Sequence, residues 1–597
     1  MSDIAVDYDS RKRTAILSAD YDDTAWRDLT DLIAEDCGEA VFPGGCVVEM
    51  PWWAFLARRK AIGELLQRLT ELAKCSVTIG AEAATMLAES VQREKDWNAA
   101  GNATMQLTTH DISLRLEEAG FIRELKPFQM RNVQRLVRLP AGATFSVPGS
   151  GKTTEALAWY AIKCKCAIPL TVIAPKNAFA AWEDEVKKCF GDKVQPPVRL
   201  VGGAAAISAT LLQCPAIGLI SYQQFARSPR PLSEALATSR HFLFLDESHR
   251  MKAGVDGAAG GAILAVSYLP VGKLILSGTP MPNGPRDLVP QLRFLYPEVR
   301  VSEESIAVEA RRVSVRTRKS ELGLQPPHLA MIPVPMSTAQ HALYDTLTNE
   351  LTLQLQVPDP NARRRIRRCA GSVMRLLQAA SNPSLLVDSE VAELACFAAA
   401  AAETSQKLAL TCKIVRRLAR QGKKAVVWSS FIGTVRYLAA TLQDIGATYI
   451  DGSVETSEDE TLEDSREARI RRFLGDPSCS VLVANPAACS ESISLHTVCH
   501  HAIYVDRTYN AAHFLQSQDR IHRLGLSPDQ STFVLILQSA GTIDASVQRR
   551  LQAKIENMSI VLEDPDLRVE PVLYDDEASG LTANDLDDLR AMLLPPA

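Results

Sequence analysis

The pattern of apolar and polar positions changes character along the chain. Short alternating runs at residues 4–7 and 14–17 flank the Asp9-Ser10-Arg11 turn and predict two strands. Phe55, Ile62, Leu65, Leu66, Leu69 and Leu72 recur at helical spacing and predict a helix over 52–72. The adjoining Pro51-Trp52-Trp53 cluster reads as core or interdomain contact, with a base-stacking surface as the alternative. From about residue 120, short continuous apolar runs at 143–147, 170–174, 217–220, 242–245 and 273–276 alternate with helical stretches. Strands apolar on both faces belong to a parallel sheet covered by helices. Residues 300–405 are helix-prone. They carry the run Arg363-Arg364-Arg365-Ile366-Arg367-Arg368, then Arg375, and an alanine-rich stretch at 398–402. A second set of buried strands is predicted at 425–428, 447–450, 480–483, 502–505 and 532–537.

This pattern predicts an α/β chain of five parts. Residues 1–118 form an N-terminal α+β accessory domain, and 119–300 a first parallel-sheet lobe. Residues 301–405 are a helical insertion, 406–562 a second lobe, and 563–597 an acidic tail rich in Asp575, Asp576, Glu577, Asp585, Asp587 and Asp588. The tail reads as solvated, with masking of a basic groove as the alternative. At 597 residues the chain is too long for one core. Its net charge of −5 excludes a globally basic surface, so any nucleic-acid contact must be a local patch. None of the 13 cysteines stands in a C-x-x-C pair. Cys164 and Cys166 are the nearest neighbours, a spacing that fits no common zinc site. Reduced thiols and a cytoplasmic location are expected. The start of the chain carries Asp3, Asp7 and Asp9 and no apolar core, so no signal peptide is expected there. No apolar run approaches a membrane span.

Two stretches carry chemistry. In Thr144-Phe145-Ser146-Val147-Pro148-Gly149-Ser150-Gly151-Lys152-Thr153-Thr154, a strand breaks into a glycine turn and opens a helix. Unpaired N–H groups and the helix dipole make such a turn an anion site. Gly149 and Gly151 let the backbone curl around a phosphate, Lys152 adds charge, and the Thr153 hydroxyl is placed for Mg²⁺. Gly149, Ser150, Gly151, Lys152, Thr153 and Thr154 are therefore the candidate phosphate cradle. The bland alternative is a glycine loop that only ends a strand. Ser146 stands where the first glycine of the pattern is expected. In Phe242-Leu243-Phe244-Leu245-Asp246-Glu247-Ser248-His249, a buried strand ends in two acids. Adjacent carboxylates there are costly without a cation or proton. Mg²⁺ with ATP phosphates supplies the cation: Asp246 would hold the metal and Glu247 would activate water. The alternative is an exposed turn with two solvated acids.

The Asp-Glu-x-His box after a phosphate loop resembles the nucleic-acid-dependent ATPases of helicase superfamily two, and the further motifs resemble its Swi/Snf branch of DNA translocases. The resemblance runs from about residue 125 to 553. Leu125-Lys126-Pro127-Phe128-Gln129 is similar to the motif whose glutamine, here Gln129, reads adenine. Val172-Ile173-Ala174-Pro175-Lys176 with Trp182 and Glu185, and Ile220-Ser221-Tyr222, resemble motifs that meet DNA. Leu276-Ser277-Gly278-Thr279-Pro280, with Asn283, Asp287 and Leu288, resembles the motif coupling hydrolysis to grip. In the second lobe, Val426 to Phe431, Ile450 to Ser453, Val481 to Ala484 and Ser490 to Leu495 resemble its strand motifs. Gln516, Asp519, Arg520, Ile521, His522, Arg523, Leu524 and Gly525 resemble the arginine-finger helix. On one helix, Gln516, Arg520 and Arg523 would share a face. A structural ion-pair cluster is the alternative.

The resemblance implies two RecA-like lobes with a helical insertion, ATP and Mg²⁺ as cofactors, and double-stranded DNA as the partner. Residues 1–118 are then the candidate surface for a protein partner. The alternatives are a strand-separating helicase, a single-strand or RNA-dependent ATPase, and a nucleotide-gated scaffold that barely turns over. No histone reader or zinc finger is readable, and the compact layout suits a bacterial or phage protein in DNA repair or phage defence. Departures from the family pattern are Ser146, Pro148, Leu526 where glutamine is common, and Glu491, which would repel phosphate.

Overall fold

The computed structural model describes residues 2–72, 75–100, 107–302, 304–357, 362–389, 395–454, 465–489, 494–527 and 529–567. Glu491 and the tail acids from Asp575 onward lie outside the described residues. The chain forms two compact units. Met1–Val147, Gly151–Met281 and Pro285–Thr317 make the first; Pro148–Ser150, Pro282–Gly284 and Arg318–Ala597 make the second.

The first unit contains two sheets. Its N-terminal sheet joins β1 (Ser2–Asp9), β2 (Thr14–Ala19), β3 (Val47–Pro51) and β4 (Cys75–Ile79) in the order β3-β2-β1-β4. β1 pairs antiparallel with β2 and parallel with β4. The two predicted strands and the helix Trp52–Glu71 are present. Trp52 and Trp53 are buried, so no ring is left for stacking on a base. Trp52 meets Tyr8 edge-on at 4.8 Å and lies 5.1 Å from Phe55.

The parallel sheet of this unit joins β5 (Ala141–Thr144), β6 (Leu170–Ile173), β7 (Val198–Arg199), β8 (Ile217–Ile220), β9 (Phe242–Asp246), β10 (Gly272–Leu276) and β11 (Ser314–Val315). Its order is β11-β5-β10-β9-β6-β8-β7, parallel throughout. β5, β6 and β8 are buried along their whole length, as the continuous apolar runs require. β5 ends three residues earlier than the apolar run predicts. Phe145 and Val147 instead donate their N–H groups to Val315 and Thr317 carbonyls, at 2.9 and 3.1 Å. The chain leaving β11 thus braces the loop that follows β5.

Four contacts fix the N-terminal sheet and its helices to this parallel sheet. The Tyr8 and Tyr268 hydroxyls share a 2.7 Å hydrogen bond. Trp97 meets Tyr296 edge-on at 4.5 Å. Arg59 donates to the Glu298 carbonyl at 3.2 Å, and Arg93 pairs with the buried Glu298 carboxylate.

The second unit holds β12 (His328–Val334), β13 (Lys424–Trp428), β14 (Ala447–Ile450), β15 (Val481–Ala484), β16 (Cys499–Tyr504) and β17 (Phe533–Ser539), in the parallel order β12-β17-β16-β13-β15-β14. All five strands expected here are present. β12 comes from the stretch read as helix-prone. It is an edge strand, mostly exposed or half-buried, and its Pro333 is tolerated there because an edge position can forgo one N–H. Helices Thr338–Gln356 and Ala362–Ser381 do not stand apart. Their Leu347, Leu351, Val373 and Leu376 join Trp428 and Tyr504 in one core. Within the arginine run, Arg364 is exposed, while Arg368 donates to the Gln354 and Val357 carbonyls at 3.2 and 3.0 Å. Arg368 thus ties two helices together. Among the described residues, no helix is long and apolar enough to cross a membrane, and all thirteen cysteines are free.

The Arg93–Glu298 pair gives a direct test of the fixed N-terminal sheet. Glu298→Ala removes the buried carboxylate from Arg93 and leaves it only the exposed Glu89 at 3.6 Å, a loss of about 3 kcal/mol. Thermal unfolding is expected at a temperature several degrees lower. An unchanged transition would show that the pair does not hold the two sheets together.

Candidate active site

The phosphate loop follows β5, and helix Lys152–Cys164 begins with Gly151 as its N-cap at φ +87°. Gly149 lies at φ +82°. Both angles fall where side chains are strained. A Cβ on Gly151 would also come within 2.3 Å of Gln129 Nε2. Gln129 therefore approaches the loop because position 151 has no side chain. Its own place is set in the first turn of helix Pro127–Leu136, where its Oε1 accepts the Lys126 N–H at 3.0 Å.

Ser146 is not in the left-handed region, so the position does not need glycine. Its hydroxyl faces the core, where it accepts from Thr317 N at 3.0 Å and Asn132 Nδ2 at 3.3 Å. Asn132 also donates to Glu155 at 2.8 Å, and Thr144 to the other Glu155 oxygen at 2.9 Å. Burial pushes the Glu155 carboxyl up to about 7, against the pull of these donors. This polar knot behind the loop was not read from the sequence. Its one signal is an acid in a helix turn that is otherwise apolar. Lys152 and Thr153 are half-exposed. Thr154 is buried and gives its hydroxyl to Glu185, leaving its backbone N–H as what it can offer an anion.

β9 delivers Asp246 and Glu247 at its carboxyl end. Asp246 Oδ2 accepts from Trp182 Nε1 at 2.8 Å, and Oδ1 accepts the Glu247 N–H at 3.0 Å. The Tyr222 hydroxyl donates to the Asp246 carbonyl at 2.8 Å. Trp182 and Tyr222, expected beside a DNA strand, are buried and brace this acid instead, as Glu185 braces Thr154. Lys176 of the same motif is exposed. Glu247 adopts φ +50°, a strained angle for a residue with a side chain. Its Oε2 lies 3.3 Å from His249 Nδ1, and that ring nitrogen is 3.1 Å from Ser277 Oγ. Ser277 belongs to the segment expected to couple hydrolysis to grip. Burial, and then the Glu247 charge, raise the Asp246 carboxyl above its ordinary range. For Glu247, burial is outweighed by the His249 hydrogen bond and charge, which hold it ionised.

The donor set fits a triphosphate and a hard divalent cation. Within the first unit, the left-handed Gly151 opens a helix N-terminus suited to an anion, Lys152 supplies charge, and a hydroxyl with a carboxylate supplies oxygen ligands.

The second unit carries the candidate finger residues. Helix Ala511–Gln518 ends before Arg520 and Arg523, which lie in the turn that follows. The expected shared helix face therefore covers Gln516 alone, and Gln516 is buried. Contacts from outside the helix hold the turn. Asp519 pairs with Lys319 at 2.6 Å, and His522 Nε2 donates to the Gln325 carbonyl at 2.7 Å. Arg520 accepts the Leu495 N–H at its carbonyl, 2.9 Å, and Arg523 donates to Ser494 Oγ at 2.6 Å. The role of Lys319 had no signal in the sequence, because its partner is 200 residues away in the chain.

A model of the SNF2-related domain matches residues 145–306, and a model of the helicase conserved C-terminal domain matches 406–525. The chain is 23% identical over 524 residues to the ISWI chromatin-remodeling complex ATPase CHR11 of Arabidopsis thaliana, covering 82% of this chain and 47% of that protein. It is 20% identical over 425 residues to the DNA annealing helicase and endonuclease ZRANB3 of Mus musculus, covering 68% of this chain and 38% of that one. The chain thus spans about half, or less, of the length of these relatives. A solved Sulfolobus solfataricus SWI2/SNF2 ATPase core in complex with dsDNA is 19% identical, with 75% of this chain and 95% of that chain covered and a TM-score of 0.32.

Gly151→Ala combines a forbidden angle with a clash against Gln129. Its affinity for a fluorescent ATP analogue is expected to fall at least about tenfold, a loss of roughly 1.4 kcal/mol. Unchanged affinity would remove this loop from nucleotide binding.

Proposed function

Because the chain belongs to the Swi/Snf branch of the superfamily-two helicase-like ATPases, we propose that it is a translocase on double-stranded DNA driven by ATP hydrolysis. The observation that carries the reading is the Asp246–Glu247 pair, oriented by Trp182, Tyr222 and His249 in the unit that also carries Gly151 and Lys152. Lys152 and the first N–H groups of its helix hold the phosphates; Gln129 reads the base. Mg²⁺ bound through Thr153 and Asp246 would neutralise charge on phosphate oxygens. Trp182 and the Glu247 N–H keep the Asp246 carboxylate in one orientation. Glu247, kept ionised, orients a water and takes its proton as the water oxygen bonds to the terminal phosphorus and the bond to the leaving phosphate breaks. Arg520 and Arg523 are assigned the charge that develops on the transferring phosphoryl group. His249 sits between Glu247 and Ser277, so it is the group through which the hydrolytic centre meets the coupling segment.

A place in bacterial DNA repair or phage defence is part of this proposal and rests on the resemblance. ATPase titration with duplex, single-stranded and forked DNA tests the central proposal. Duplex is expected to stimulate turnover most, and triplex displacement to follow without fork unwinding. No stimulation by any nucleic acid would overturn the translocase in favour of a nucleotide-gated scaffold. Glu247→Gln is expected to bind ATP normally and lose at least about 10²-fold in turnover; normal turnover would remove its assigned role.

A further inference from the structure

The β1–β2 turn places three basic residues together. Asp9 Oδ1 accepts the Arg11 and Lys12 N–H groups at 2.8 and 3.0 Å, and the Asp9 carbonyl accepts the Arg13 N–H at 2.6 Å. The Arg13 carbonyl accepts the Trp52 N–H at 2.9 Å. These bonds hold Arg13 at φ +58°, an angle that a residue with a side chain adopts only when its surroundings enforce it. The turn lines one wall of a cleft of about 1530 Å³ within the first unit. Arg240, two residues before β9, lies on the lining, as does Val271 just before β10. The cleft therefore opens at the amino ends of these strands. The Asp246–Glu247 pair is at the opposite end, about 16 Å along β9.

Ion pairing within the cleft is uneven. Lys12 is paired with Glu49, and Arg230 with Glu234. Among the described residues, Arg11, Arg13 and Arg240 have no ion pair, and Arg13 Nε is buried without an acceptor. Arg13 thus has donor capacity to spare for a ligand in the cleft. We infer that this cleft binds an acidic, partly apolar peptide segment of a partner protein.

Three features select that ligand. Guanidiniums match carboxylates in a two-pronged geometry, which suits separate acidic side chains. Glu39, Glu89 and Glu234 on the same lining are paired with Arg58, Arg93 and Arg230, so the charge left for a ligand is mainly that of the arginines. Val255 and Val271, each 45% exposed on the lining, offer apolar ground between the arginines. The volume exceeds the roughly 300–1,000 Å³ of small-ligand pockets, and the cleft is open, which suits a linear chain. The inference does not depend on the assignment of ATP hydrolysis.

The test measures fluorescence anisotropy of a short labelled glutamate–leucine peptide with the full-length protein. A lysine–leucine peptide and duplex DNA are run beside it. The acidic peptide is expected to bind, more weakly as salt rises, while the basic one does not. Arg13→Ala with Arg240→Ala should weaken binding at least about tenfold and leave the ATPase rate unchanged. Arg240→Glu alone, on the exposed rim, should weaken it too and does not touch the fold of the turn. Peptide affinity equal in wild type and Arg240→Glu would overturn the inference. So would a loss confined to duplex DNA in these variants, which would make the cleft a nucleic-acid site.

Discussion

Two carboxylates on consecutive residues at the end of a buried strand are the constraint on which the rest of the first unit turns. Their charges repel, and burial penalises both. The fold meets that penalty unequally. Asp246 receives neutral N–H donors from Trp182 and from the Glu247 backbone. Glu247 receives an imidazole nitrogen and adopts a strained backbone angle. Neighbouring groups are turned inward to make this possible: Tyr222 holds the Asp246 carbonyl, and Ser277 meets the His249 nitrogen that faces Glu247. Adjacent residues with opposite proton affinities can then serve different tasks in one site.

The phosphate loop depends on the same economy of polar groups. Ser146 departs from the familiar glycine pattern yet costs the loop nothing, because that position faces a buried knot of Asn132, Thr144, Glu155 and Thr317. Only Gly149 and Gly151 occupy angles that demand glycine. A motif read as letters treats the three positions alike. The backbone does not.

What was legible in the sequence follows from where each signal resides. Continuous apolar runs marked the central strands of the two parallel sheets, since a strand covered on both faces has no polar position to spare. β7 and β11, two residues each, were too short to leave a pattern, and β12, although apolar, carries Pro333 and lies inside a stretch that otherwise reads as helical. The placement of Asp246 and Glu247 at the end of a strand, and of the glycines and Lys152 at a helix start, was legible because it is set by neighbours in sequence. Arg520 and Arg523 were found by resemblance but misplaced on a helix, because the contacts that hold their turn come from Lys319 and Gln325. Trp182 and Tyr222 were assigned outward roles. Their inward hydrogen bonds to Asp246 span 64 and 24 residues, beyond any local pattern.

The junction between the N-terminal sheet and the first parallel sheet has a mechanical consequence. Tyr8 with Tyr268, Trp97 with Tyr296, and Arg93 and Arg59 with Glu298 spread the junction over opposite ends of the small domain's chain. A single contact would make a hinge, whereas several separated ones make a bracket. A load on the N-terminal sheet therefore passes to the first parallel sheet at several separated points. A cargo or anchor attached there would travel with that unit, like a tool clamped to a carriage.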